Sequence, residues 1–220
     1  LACGMIYCFI NFGIFFAEIT QTITTSYFSE DYAWRAAFIF GGIAAIVSYI
    51  LRKKIHETQT FLSNKNINKL PILQLFKSQK IACIKTMAAI SIIAITVGFF
   101  SLFLPTFFAL NHITNSSGLI LLNLFIFSVM CIPAGALADR INPLIILTVG
   151  SIGLLTFGSL FYIAIVYKLS YLVYIMCINS CFMGLAVGVA SNYSCMLFEP
   201  SVRATGLGTV YNISFAIFNG

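Results

Sequence analysis

The sequence predicts an all-α protein, a polytopic transmembrane helical bundle, and three observations carry that prediction. First, 60% of the 220 residues are hydrophobic and only 8% are charged, against about 25% charged in a soluble domain. Twelve basic and six acidic residues cannot cover a globule of this size with hydrated groups. A mean hydropathy of +1.00 makes lipid the solvent for most of the surface. Second, the apolar residues come in long unbroken runs, such as 141–166. They lack the alternation of a membrane β-strand of about 9–11 residues. Third, backbone N–H and C=O groups in hydrocarbon must be paired inside the protein, so runs of this length are helices.

Seven segments follow in order: 1–28, 34–51, 84–110, 118–138, 143–167, 170–198 and 207–220. The first is too long, and has too many later neighbours of its kind, for a cleaved signal peptide. The seventh has 14 residues, short of the roughly 20 that a crossing needs. A chain that opens on Leu1 inside one run and stops inside another reads as a fragment or a truncated gene product. The polar stretch 52–83 divides the chain into 1–51 and 84–220, and within it Leu70 to Phe76 is apolar enough for a short interfacial helix.

Basic residues set the expected orientation. Eight fall between Arg52 and Lys85. With 52–83 cytoplasmic, alternation puts Arg140 and Arg203 on the same side, and only Arg35 and Lys168 opposite. The basic excess is then topological: it excludes nucleic acid as the expected partner and lets inner helix ends meet anionic lipid heads of the bilayer.

Several chemistries have little support. The seven cysteines include no C-x-x-C pair and read as buried free thiols. His56 and His112 lie in separate loops, so no metal site is expected. There is no G-x-x-x-x-G-K-S/T stretch for ATP, and no cofactor is implied.

The hairpin between the fourth and fifth spans carries the most specific motif, Gly135-Ala-Leu-Ala-Asp139-Arg140-Ile-Asn-Pro143. Gly135 permits close helix approach. Asp139 suits a helix N-terminus or a basic partner, and Pro143 suits a first helical turn. The stretch resembles the signature loop of the major facilitator superfamily, G-x-L-x-D-R-x-G-R-R. Asn142 stands where the second glycine falls, Pro143 where the next arginine falls, and the downstream basic pair is absent. Four other places are similar to that superfamily, in the same order. They are Trp34-Arg35-x-x-Phe38; Arg52 with Glu57-Thr58 and Phe61; Leu104-Pro105-Thr106; and Arg203-Ala204-Thr205-Gly206 with Tyr211-Asn212. Gln59 stands where proline is common in the second of these. The nearest likeness is to metabolite:proton symporters of the proline/betaine type.

The resemblance implies a partial major facilitator fold covering helices five to eleven of twelve, with 1–51 closing the N-terminal half and 84–220 opening the C-terminal half. It implies proton-coupled symport of a small polar solute in a cell inner membrane, and a separate chain as the source of further helices. It also implies a gate of Gly135, Asp139, Arg140 and Arg203, in which Asp139 faces the start of the first span near Leu1 to Gly4.

Polar residues inside spans are the pathway candidates. Gly4, Asn11, Glu18 and Thr25 recur every seven residues on one helix face, with Gln21 and Thr22 beside Glu18. Glu18 is the candidate for proton coupling, because an ionisable group at membrane depth calls for a function. Asn123, Asn192 and Asn212 are candidates to line a solute path, alongside the plainer role of interhelical hydrogen-bond partners. Ser180, Gly184 and Gly188 form a small-residue seam for packing. Two rival readings stand beside the transporter: a non-transporting remnant, and an embedded enzyme, which lacks a visible nucleophile–base pair.

Overall fold

The computed structural model describes residues 1–53, 71–113, 115–200 and 202–219. Among them every regular element is helical: α1 (Ala2–Tyr27), α2 (Glu30–Arg52), α3 (Pro71–Ser78), α4 (Lys80–Val97), a π turn (Gly98–Leu102), α5 (Leu104–Leu110), α6 (Ser116–Ala138), α7 (Pro143–Val166), α8 (Leu172–Leu197) and α9 (Arg203–Phe218). Six described helices are long and apolar enough to cross a membrane: Ala2–Tyr27, Tyr32–Arg52, Lys80–Leu102, Ser116–Ala138, Pro143–Val166 and Leu172–Leu197. The chain is thus an all-α multi-pass bundle.

Segment ends differ from the expected ones for local reasons. α2 starts at Glu30, four residues before the expected 34. α9 starts at Arg203 and ends at Phe218. The expected third span, 84–110, is three pieces: it starts at Lys80 and breaks at Gly98. Pro143 opens α7 as its first residue, and the Asn142 side chain accepts the Leu144 N–H at 3.0 Å. α5 and α7 end alike without glycine. His112 and Lys168 take left-handed conformations. The Ile113 and Leu169 N–H groups then reach back to Phe108 and Ala164 carbonyls at 3.1 and 3.0 Å.

The chain divides into two compact units, Leu1–Phe12 with Lys69–Gly220, and Gly13–Asn68. In the larger unit α8 is the central helix, packed against α4, α6 and α7. The expected small-residue seam makes this contact. A Cβ on Gly188 would lie 3.0 Å from the Cys131 carbonyl oxygen, and one on Gly184 would lie 3.0 Å from that of Phe127. Phe108, Phe127, Phe161, Met176 and Met183 fill the interior. A short helix, α3, forms where an interfacial one was expected, and its fully buried Leu75 joins Cys83, Phe198, Val202 and Val210. The smaller unit holds the second part of α1 with α2, whose Phe38, Phe40 and Ile46 are exposed. Exposed apolar side chains on this scale fit a lipid solvent.

Candidate functional site

The site begins where α1 and α6 cross at two glycines. A Cβ on Gly135 would stand 2.8 Å from Gly4 Cα and 3.1 Å from the Leu1 carbonyl oxygen. Any side chain at either glycine forces the helices apart. The crossing brings the first turn of α1 onto the end of α6. There the Leu1 nitrogen donates to Asp139 Oδ2 at 2.6 Å and to the Gly135 carbonyl at 2.9 Å. The Asp139 carboxylate thus lies against the first described turn of α1. Leu1 and Asp139 are 54% and 53% exposed, so water screens the pair and keeps it weak.

The same seam continues deeper at helical spacing. The Tyr7 and Ser191 hydroxyls share a hydrogen bond of 2.5 Å between α1 and α8. Asn11 is buried and aims Nδ2 at Cys131 Sγ, 3.7 Å away, a weak acceptor. Phe12 meets Phe125 edge to face, with centroids 6.2 Å apart. Below the glycine crossing the seam carries neutral polar contacts.

The other gate and pathway candidates fall elsewhere. Arg140 is exposed next to Asp139. Arg203 turns back on its own hairpin, donating from Nε and Nη2 to the Phe198 carbonyl at 3.3 and 3.2 Å. Asn212 donates to the Gly208 carbonyl at 2.7 Å. It lines an open cleft of ≈ 250 Å³ with Ser191 and Tyr211. Asn192 is half-buried on α8 beside Ser191. Asn123 has no exposed surface. Its Nδ2 donates to the Phe100 carbonyl at 3.2 Å, and its Oδ1 accepts from Ser180 Oγ at 2.7 Å.

Glu18 and Gln21 belong to the smaller unit. Glu18 is half-buried. The hydroxyls near it serve their own helix: Thr22 donates to the Glu18 backbone carbonyl at 2.9 Å, and Thr25 to that of Gln21 at 2.9 Å. Neither of these hydroxyls donates to the Glu18 carboxyl. Gln21 lines an open cleft of ≈ 570 Å³ with Thr24, Thr25, Trp34 and Phe38. The Arg35 guanidinium lies 5.2 Å from the Trp34 ring centroid, a cation–π contact.

Sequence reasoning missed Tyr7 and Tyr162. The partners of Tyr7 and Tyr162 are 184 and 63 residues distant in the chain. The one local signal was a hydroxyl set in an apolar run. Among the described residues no group of three or more His, Cys, Asp or Glu is placed to hold a metal.

Six membrane-length helices, crossing at glycines and stitched by neutral polar contacts with a charged hairpin at one end, define a polytopic membrane protein of the transporter class. The Major Facilitator Superfamily model matches residues 1–218, and the chain belongs to this family. No curated protein and no solved structure matches it.

Proposed function

We propose that this transporter is a proton-coupled symporter of a small polar solute, of the proline/betaine or related metabolite class, in a cell inner membrane. Residues 52–83 are cytoplasmic in this reading and join the last part of one half, 1–51, to the other half, 84–220. Transport proceeds by alternating access, with the halves rocking about a mid-membrane site. Asp139 helps close the inner mouth, Glu18 carries the proton, and Asn11, Gln21, Asn192 and Asn212 serve the solute path.

The observation that carries the reading is the Gly4–Gly135 crossing, which seats the first turn of α1 against the end of α6 and its Asp139 hairpin. A weak, screened carboxylate–helix contact suits a gate that must form and break in every cycle, because it contributes only about 0.3–1 kcal/mol. The five motif resemblances support the symporter type. The buried amide of Asn123 is spoken for by Phe100 and Ser180, which favours a structural role for it over the solute path.

Uptake of radiolabelled proline or betaine by proteoliposomes of the full-length protein tests the reading. A gradient alkaline inside should drive accumulation above equilibrium, and a protonophore should abolish it. Equal accumulation with and without the gradient overturns proton coupling.

A further inference from the structure

The third span is not one helix, and its break is held by side chains from two others. Between Gly98 and Leu102 the backbone widens to a π turn, with Phe103 N–H bonding the Gly98 carbonyl at 2.9 Å. A π turn is an α-helix with one residue too many, and it leaves carbonyls off the regular ladder. Pro105 adds to this, because it has no N–H to offer the Ser101 carbonyl. In hydrocarbon such groups need other partners. Two are supplied. The Tyr162 hydroxyl on α7 donates to the Phe99 carbonyl at 2.6 Å. Asn123 on α6 donates to the Phe100 carbonyl at 3.2 Å and is itself fixed by Ser180 on α8.

The two clamps differ in strength of setting. Asn123 and Ser180 are fully buried. Tyr162 is half-buried and borders an open cleft of ≈ 480 Å³ with Thr96, Phe99, Phe100, Ser151 and Gly158. The hydroxyls of Thr96, Ser151 and Ser159 in that cleft bond carbonyls of their own helices. The Tyr162 ring packs against Phe99, Phe100, Phe107 and Phe161 with centroids 4.9–6.4 Å apart, so a change in the turn must re-seat these rings beside the open cleft. On the other side, a Cβ at Gly98 would meet only the end of the Asn219 side chain, which can turn aside.

We propose that the π turn is a two-state joint in the transport cycle, and that Tyr162 is the positioning residue that sets its balance. Rewinding the turn to an α-helix rotates Leu104–Leu110 by roughly 100° and advances it by about 1.5 Å relative to Lys80–Val97. The π form is kept by the Tyr162 hydrogen bond, and the α form is reached when that bond breaks. The inference rests on the alternating-access reading for its purpose only, since the joint itself is observable with no solute present.

The test uses full-length protein in lipid nanodiscs, with the native cysteines replaced and nitroxides at Leu110→Cys and Lys168→Cys, both exposed sites. Electron–electron resonance should give two distances differing by on the order of 10 Å, the width of a helix with its side chains. Tyr162→Phe keeps the ring and should change the ratio of the two populations at least threefold with the melting temperature held. Deleting Ser101 removes the extra residue and should leave one population. Should Tyr162→Phe fail to fold, amide exchange in the parent decides: exchange at residues 98–103 at least tenfold faster than within α6 supports the joint. One distance in the parent, an unchanged ratio in Tyr162→Phe, or exchange as slow as in α6 overturns it. Two distances with no proton-driven uptake would keep the joint and sink the symport reading.

Discussion

At the scale of the residue, Glu18 and Asp139 illustrate two fates of a carboxylate in a membrane protein. Glu18 lies inside a span, where a charged side chain costs roughly 2.5–3.5 kcal/mol on insertion scales. Its neighbouring threonines use their hydroxyls on backbone carbonyls of α1, so they do not repay that cost. In the proposed reading that cost is offset because the protonation of Glu18 is used. Glu18→Gln is therefore expected to abolish proton-driven accumulation while leaving solute exchange intact, measured by counterflow in proteoliposomes. Normal accumulation across the pH range would make Glu18 a structural group. Asp139, half exposed at a helix end, is cheap to hold and easy to release. Asp139→Asn should weaken closure by about 0.3–1 kcal/mol, a shift of roughly two- to fivefold toward the inward-open form. Unchanged uptake and unchanged inner accessibility in this variant would show that the altered hairpin, with Asn142 and Pro143 in place of Gly and Arg, has lost the gating role.

At the scale of the element, the Gly4–Gly135 crossing sets how closely α1 can seat on α6. A methyl group at Gly135 meets backbone atoms at 2.8–3.1 Å, and backbone cannot yield as a flexible side chain can. Overpacking of this kind costs about 1–3 kcal/mol. Gly135→Ala should therefore loosen the seam, and the native thiol of Cys8, 2% exposed in the seated form, reports it. Its labelling by N-ethylmaleimide, with the other cysteines replaced, should speed up roughly 5- to 150-fold if opening is required for reaction. A rate equal to the parent's would mean the crossing adapts. This element also shows what sequence can and cannot reveal. Spans were legible because each is an apolar run bounded by polar residues, and the Gly184–Gly188 seam because small residues recur at i+4. The π turn was not. Residues 84–110 form one apolar run whose hydropathy is blind to the hydrogen-bond register inside it, and Gly98 and Pro105 look alike in a kinked or a straight helix. Asn123 was ambiguous for the same reason: which carbonyl it bonds depends on contacts between helices, 23 residues away in the chain.

At the scale of the whole molecule, few charges are present, and their placement is the strongest statement the chain makes about its orientation. Ten of the twelve basic residues fall on one side if 52–83 is cytoplasmic, an asymmetry that topogenesis reads directly. The described helices preserve this alternation: Arg140 follows α6, Lys168 follows α7 and Arg203 opens α9. Two successive crossings, the third span and α6, thus tie the basic cluster to the gate hairpin. If the cluster lay outside, Asp139 and the α1 turn that it meets would lie outside too, and the proposed inner gate would become an outer one. Ser63 sits within the polar stretch, outside the described residues. On a cysteine-free background, Ser63→Cys should resist a membrane-impermeant maleimide added to intact cells and react at least tenfold faster once the cells are permeabilised. Ready labelling in intact cells would invert the topology and, with it, the side on which Asp139 acts, while leaving the helix packing and the π turn untouched.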